Sequence, residues 1–473
     1  MEGGDAWTMK SIVDKVKADL ANDGNVKVAA VDADGILRGK IISKDKFLSV
    51  IEDGFGFCGV LYSWDMHDTA YALNSTISAA DEGYRDLQAK VDLEAFYRIP
   101  WENNIPFFLL KIHDPETNEA MPQCPRGLLA QICDQFEAQL NGTPMAGSEL
   151  EFYHYRETAE SLADKNGINL KPLTPGMFGY SIQRPTLNQE YFYDILNTCT
   201  STGIKLEGWH TETGPGVFEA ALTYGPAKEV ADKTSLFKLI CKSIGPRYGI
   251  LPCFMAKPAQ GMPGNSGHMH LSVLDKKTGQ NLFARDLADP SPEWPDIAHL
   301  SDFGRHFLAG VLDGLPDIMP LLAPTINSYK RLNENFFAPV TVSWGLEHRI
   351  ASIRLIAPPV CSKKGTRLEI RTPGADVHTH YAMAALLALG LRGIQNKIPL
   401  TTPPMGNEDS SKFAKLPKSL QDATDKFAAP GSIARQVLGD KFVDHFAETR
   451  YHEIREWNEA VTNWEVTRYI ETV

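Results

Sequence analysis

The stretch Ser148-Glu149-Leu150-Glu151-Phe152-Tyr153 sets two carboxylates two positions apart among apolar residues. On a β-strand, side chains at i and i+2 leave the same face. Two anions then point into one place, and neither tolerates burial unless a cation or a hydrogen-bond donor compensates it. Taken alone, a Glu-x-Glu pair is more often a solvated strand face. The rest of the chain decides between the two readings.

Four further constellations stand beside it. Glu207-Gly-Trp-His-Thr-Glu212-Thr-Gly-Pro-Gly-Val-Phe-Glu219 places acids on either side of a Gly-Pro-Gly turn, and a hairpin there brings Glu212 and Glu219 together. Asn265-Ser-Gly-His268-Met-His270-Leu-Ser272 puts two imidazoles on one strand face after a glycine loop. Asn327-Ser-Tyr-Lys-Arg331 leads on to Trp344-Gly-Leu-Glu-His-Arg349 and Arg354, and Arg367-Leu-Glu369-Ile-Arg371 alternates charge along one strand. Singly, each has a plain explanation: a satisfied histidine, a charged hairpin, a cross-strand ion-pair ladder. Jointly, carboxylates and histidines beside glycine loops, with arginines near, suit hard divalent cations and a polyphosphate. Carboxylates select Mg²⁺ or Mn²⁺ over soft-ligand metals, and arginine offers fixed forks to phosphate and carboxylate oxygens. Phosphoryl transfer needs such a site, because its chemistry is positioning and charge neutralisation. No Walker P-loop or kinase loop set is present, so a nucleotide must be held differently.

Composition narrows the classes. A net charge of −12 over 473 residues, with no Lys/Arg cluster, argues against a nucleic-acid surface. The seven cysteines are scattered without a Cys-x-x-Cys pair, which fits reduced thiols better than a disulfide frame or a zinc site. The first residues lack a basic-then-apolar signal pattern, and the apolar run Ala382–Leu391 is too short to span a bilayer. A cytoplasmic protein with no membrane partner is expected.

Periodicity places the motifs. Residues 9–24 read as a helix, 26–42 as a hairpin turning at Asp34-Gly35, 44–53 as a helix and 57–64 as a strand. This is a small α+β unit, and the expected domains are 1–115 and 116–473. In the second, strands at 148–155, 204–211, 216–222, 251–257 and 268–274 alternate with helices at 125–140, 190–202, 226–249, 302–315 and 381–393. Segments 257–267 and 327–337 are long enough to be binding loops. Residues 442–473 have helical periodicity with aromatics suited to packing against core or neighbour.

In this order, Asp32-Ala-Asp-Gly-Ile-Leu-Arg-Gly-Lys, Ser148-Glu-Leu-Glu-Phe, His210-Thr-Glu-Thr-Gly-Pro-Gly-Val-Phe-Glu, Ser266-Gly-His-Met-His-Leu-Ser, Asn327-Ser-Tyr-Lys-Arg-Leu, Trp344-Gly-Leu-Glu-His-Arg and Arg367-Leu-Glu-Ile-Arg, the sequence resembles the type I branch of the glutamine synthetase family over nearly its whole length. The resemblance implies an α+β fold: an N-terminal β-grasp domain, then a catalytic domain with a curved antiparallel sheet and flanking helices. It implies one metal held by Glu151, Glu212 and Glu219 and a second by Glu149, His268 and Glu369. Asn265, Gly267, Arg331 and Arg371 would hold glutamate. Glu207, His270, Ser272, Arg349 and Arg354 would serve ATP, with Lys363 or Lys364 as further candidates. Glutamate attacks ATP to give γ-glutamyl phosphate, and an amine then displaces phosphate, with Arg349 neutralising charge on the transferred group. Members of the family are homo-oligomeric rings or stacked rings with active sites between subunits.

The departures are as informative. Six residues after Arg331, where glutamine synthetases have a glutamate that closes the site and helps deprotonate ammonium, stands Phe337. The usual Pro-Gly of that loop is Glu334-Asn335, the Gln of Pro-Gly-Gln-x-Glu is Val217, and Phe413 occupies the region of the adenylylated tyrosine of regulated members. The loop that reaches a neighbour's site appears as Ser63-Trp-Asp65-Met-His-Asp68-Thr-Ala-Tyr71, where Asp65 or Asp68 retains an acid for a cationic amine. A phenylalanine in place of an acid weakens the hold on a small cation and offers an apolar or cation–π wall. The expected reaction is therefore γ-glutamylation of an organic amine or polyamine, as in the family's γ-glutamylpolyamine and γ-glutamylanilide synthetase relatives. The alternatives are a glutamine synthetase using ammonia and a catalytically silent structural or sensory relative.

Overall fold

The computed structural model describes residues 9–71, 83–333, 338–406 and 410–473. Phe337, Glu334 and Asn335 lie outside them.

The first sheet has the strand order β2-β1-β5-β4-β3, from β1 (Asn25–Val31), β2 (Leu37–Ser43), β3 (Phe55–Cys58), β4 (Asp86–Ile99) and β5 (Ile105–His113). β1 and β2 form the expected hairpin, with Gly35 at φ +82° in the turn, and β1 pairs parallel to β5. The period-2 alternation of β5 divides its side chains between two cores. Phe108, Leu110 and Ile112 face the helices Met9–Asp19 and Lys44–Val50 through Val13, Val16 and Phe47. Phe107 and Leu109 face the other way, into a cluster with Phe152, Phe218 and Phe237. Both faces of this sheet are therefore covered, and one of them is continuous with the larger part of the molecule.

The second sheet runs β11-β12-β13-β10-β6-β8-β7, with β9 also pairing β6. Its strands are β6 (Gly142–Tyr155), β7 (Leu206–Thr211), β8 (Val217–Pro226), β9 (Leu251–Cys253), β10 (Met269–Asp275), β11 (Trp344–Leu346), β12 (Ile353–Ile356) and β13 (Arg367–Ile370). All pairings are antiparallel except β11 with β12. Helix Thr379–Gln395 lies behind the sheet, buried over most of its surface, as a helix apolar all round must be. It packs against helix Asp302–Gly314 so closely that a Cβ at Gly310 would fall 2.4 Å from the Leu389 carbonyl oxygen. Among the described residues, no helix is long and apolar enough to cross a membrane.

Three expected elements are shorter than their patterns. Residues 57–64 give β3 and then a 3₁₀ turn at Gly59–Tyr62, closed by the Ser63 N–H donating to Val60. The 251–257 strand stops at Cys253 because the Asn265 amide donates to the carbonyls of Cys253 (3.2 Å) and Met255 (2.7 Å), which leaves no ladder to continue. The 226–249 helix ends at Ile244 and passes into a 3₁₀ turn at Gly245–Tyr248, where Pro246 has no N–H to give. The 442–473 periodicity resolves into helices Asp440–Glu459 and Asn463–Tyr469. Phe442 and Phe446 are buried, whereas Trp457, Trp464 and Tyr469 are exposed.

Candidate active site

β6 is flanked by β10 on one side and β8 on the other, so its carboxylates meet neighbours from both. Glu151 stands directly opposite Glu219 on β8, and Glu219 opposite His210 on β7. Across the other half, His270 pairs with Glu369, and Glu369 with Arg354. The Gly-Pro-Gly turn folds Glu212 back toward Glu219. Gly216 there adopts φ +74°, and any Cβ would lie 2.8 Å from the His154 carbonyl oxygen. The outcome is two groups whose ligand atoms lie within 4.8 Å of one another: Glu151 with Glu212 and Glu219, and Glu149 with His270 and Glu369.

Like charges directly opposite in a ladder repel, and the protein answers in two ways. In the first group, burial and then the neighbouring carboxylates Glu151, Glu149, Glu212 and Glu369 push Glu219 up to about 9. In the second, cations and imidazoles outweigh burial. Glu149 sits well below the usual carboxylate range: burial opposes it, but hydrogen bonds from His268 and His270 prevail. Glu369 falls to about 2, because His268 and Arg371 together overcome the desolvation of this almost fully buried residue. Burial, and then Arg371, lowers His268, which keeps the imidazole neutral with a lone pair to offer.

The two histidines share the work more evenly than the sequence distinguishes. His268 Nδ1 is 3.6 Å from Glu149 and 3.4 Å from Glu369, while His270 Nε2 is 2.9 Å from Glu149. Arg367 Nε donates to His270 Nδ1 at 3.0 Å, which places the ring proton on the Nε2 that faces Glu149. His270 therefore stands in the acid group as well as beside the nucleotide candidates. Glu207, His270, Ser272 and Lys364 line one cavity of about 330 Å³, together with Glu149 and Arg367. Lys363 instead bonds to Asp286, outside it.

The arginines divide by burial. Arg354 donates from Nε to Glu347 at 3.0 Å and from Nη1 to Glu369 at 2.9 Å, and Arg371 bonds Glu369 through Nη1 while its buried Nε has no partner. Arg331 is buried and gives two N–H groups to the carbonyls of Thr372 (2.9 Å) and Arg371 (3.0 Å). Arg349 is exposed. In the glycine loop, the buried Oδ1 of Asn265 has no hydrogen-bond partner. The Gly267 N–H is committed to the Pro373 carbonyl at 2.9 Å. A Cβ at Gly267 would lie 2.4 Å from the Gly374 carbonyl oxygen, so its fit is one of backbone approach.

Asp65 stands apart from the acid groups of its own chain. Its carboxylate accepts the N–H groups of His67 and Thr69 and lies 3.0 Å from His452 Nε2 on helix Asp440–Glu459. Asp68 pairs with Arg38 at 2.5 Å. Two residues to which the sequence patterns assign no role stand beside the site. Tyr180, at φ +54°, stacks on His210 with ring centroids 4.5 Å apart; a Cβ on the preceding Gly179 would approach Glu212 to 3.1 Å. Glu347, also at positive φ, fixes Arg354. The only local signal for Tyr180 is its place in a Gly/Pro-rich stretch.

Two groups of side chains that could each hold a metal ion, with arginines beside them on a mixed sheet, suit a nucleotide-dependent ligase. The family model described as "Glutamine synthetase, catalytic domain" matches residues 122–469, and the chain belongs to the glutamine synthetase family. It is 43% identical to type-1 glutamine synthetase 2 of Dictyostelium discoideum, over 95% of this chain and 84% of that one. It is 31% identical to glutamate–isopropylamine ligase of a Pseudomonas species, over 96% of each chain. It is also 31% identical to γ-glutamylethanolamide synthetase of Streptomyces coelicolor, over 94% of this chain and 92% of that one. The solved structure of GmaS with ADP shares the fold, with a TM-score of 0.79 at 23% identity over 97% of this chain and 99% of that one.

Proposed function

We propose that this protein is an ATP-dependent ligase that joins the γ-carboxylate of glutamate to an organic amine. The observation that carries the reading is the pair of groups on β6, Glu149 with His270 and Glu369 and Glu151 with Glu212 and Glu219, one of them on the wall of the cavity that holds Glu207, Ser272 and Lys364. The carboxylates, with the imidazole of His268 beside Glu149 and Glu369, fit Mg²⁺ or Mn²⁺. The raised Glu219 supports the fit, since burial and then four facing carboxylates leave negative charge there without a compensating cation. Bound there, two such cations supply the charge neutralisation that phosphoryl transfer requires.

The protein's own residues bind and orient the reactants. The unpartnered Oδ1 of Asn265 is an acceptor for the glutamate ammonium, and Arg331 and the free Nε of Arg371 are donors for its carboxylate. Glu207, His270, Ser272 and Lys364 receive ATP. Arg354, held by Glu347, and the exposed Arg349 set positive charge beside the phosphoryl group in transit. The γ-carboxylate oxygen bonds to the γ-phosphorus as the bond to ADP breaks. The amine nitrogen then bonds to the acyl carbon, phosphate leaves, and the amine gives up a proton.

Phe337, where glutamine synthetases have an acid, favours an amine with an alkyl or aryl body. The relatives named for isopropylamine and ethanolamide support that acceptor class. The domain division at 115/116 and a homo-oligomeric ring, in which Asp65 or Asp68 of one copy meets the amine of the next, are parts of the same proposal. Glutamine synthesis from ammonia is the second reading, favoured by the Dictyostelium relative. Mass spectrometry of products from ATP, glutamate, Mg²⁺ and an amine panel separates them. Ammonia as the best acceptor would overturn the organic-amine reading, and no phosphate release with any amine would make the protein a scaffold.

A further inference from the structure

A cavity of about 530 Å³ lies between the hairpin turn of the first sheet, helix Ala227–Ile244, β9 and the segment Asp376–Thr379. It shares no residue with the acid groups or with the cavity at Glu207. Its walls are largely apolar, with Leu37, Leu239, Phe254 and Pro324 among them. Two cations enter it from a single helix. Lys238 and Lys242 are one turn apart, with their ammonium groups 5.7 and 6.0 Å from the centroid of the Phe254 ring. Lys238 Nζ donates to the Val377 carbonyl at 3.0 Å. Among the described residues, neither lysine has a carboxylate within ion-pair distance. Of the other charges on the wall, Arg450 pairs with Asp34, and Asp376 accepts the hydroxyls of Ser328 (2.6 Å) and Thr325 (3.0 Å) at Oδ2 while its buried Oδ1 has no partner.

Two like charges at i and i+4 repel, and burial adds to the strain. It draws Lys238 down to about 7, with Lys242 as the next cause. An anion between them would relieve both penalties. The size suits a small molecule. The absence of an uncommitted guanidinium fork on the wall favours a compact carboxylate over a phosphate.

We propose that this cavity binds a small organic carboxylate, its head between Lys238 and Lys242 and its apolar body against Phe254, Leu239 and Leu37. The site also bears on the glycine loop. Val377, which takes the Lys238 hydrogen bond, belongs to a segment that backs Asn265 and Gly267: the Ala375 N–H donates to the Asn265 carbonyl at 3.1 Å, and the Gly267 N–H to that of Pro373. A bound carboxylate therefore alters the affinity for glutamate, a consequence that rests on the ligase reading, whereas binding itself does not.

Calorimetric titration of phenylacetate into the full chain, with saturating glutamate to block its own site, tests the binding. Benzyl alcohol and phenyl phosphate serve as comparisons. We expect saturable binding of phenylacetate, none of benzyl alcohol, and at least a tenfold loss of affinity in Lys238→Met and in Lys242→Met with unchanged circular dichroism. Should Lys238→Met not fold, Lys242→Met, whose side chain is exposed, decides alone. Absent binding, equal binding by the variants, or equal binding of the alcohol would overturn the site. Tighter binding of phenyl phosphate would overturn the carboxylate assignment. Binding without any effect on the KM for glutamate leaves the site standing and removes the link to the loop.

Discussion

Titrating Mg²⁺ or Mn²⁺ into the metal-free protein at pH 7.5 should expel close to one proton per chain, and Glu219 is its source. Burial and the facing carboxylates hold this group at about 9, so it is protonated at pH 7.5, yet a carboxylate must be ionised to ligate. Ionising it 1.5 units below that value costs about 2 kcal/mol, or roughly a thirtyfold weaker apparent affinity. The affinity should therefore rise about tenfold per unit from pH 7 toward 9 and flatten above. Stability of the metal-free protein runs the opposite way. Between 4.5 and about 9 the folded state holds a proton that the unfolded state has lost, so stability is fully present below pH 4.5 and falls as pH rises to 9, by on the order of 6 kcal/mol at most. Calorimetry in HEPES and in Tris, which differ in ionisation enthalpy, reads the proton count directly. Glu219→Gln should release none and bind the cation more weakly. Identical heats in the two buffers for the wild-type protein would refute the reasoning.

Glu151→Ala and Glu149→Ala should each cut ATP turnover by about a thousandfold or more with the fold intact, because each opens one cation group; wild-type phosphate release in either would return the motif to a solvated strand face. Arg126→Met should cost about 3–5 kcal/mol in urea unfolding, since it strips buried Asp232 of two of its three 2.8 Å bonds, leaving the one to His380, and Asp92 of a 2.9 Å bond. A loss of under about 1 kcal/mol would show that the two acids find other cations. Glu347→Gln should raise the KM for ATP about tenfold with a smaller change in kcat, because Arg354 loses a charged anchor; an unchanged KM would remove Glu347 from the nucleotide site.

The sequence carries the strands of the site well because their side chains alternate. Glu149 and Glu151, His268 and His270, and Arg367, Glu369 and Arg371 each fall on alternate positions, and the ladders bring those rows together. What periodicity does not carry is contact between distant parts of the chain. Nothing near Asp65 shows that it docks on His452, 387 residues away. Tyr180 sits in an irregular segment at positive φ, where no period exists to place it. Local pattern also overran the ends of elements that a distant side chain cuts short, as Asn265 does to β9. The division of labour between His268 and His270 depends on which ring nitrogen Arg367 engages, and spacing alone does not supply that.

β6 spans fourteen residues and is paired along both sides. One continuous strand therefore sets the spacing between the two acid groups, like marks on a ruler. The pleat gives that spacing little freedom, and substitutions in the surrounding loops leave it untouched. The loop that holds Tyr180 and the position of Phe337 are not on this strand. On the proposed reading the acceptor preference rests on Phe337, so it can change without moving the acid groups of this strand.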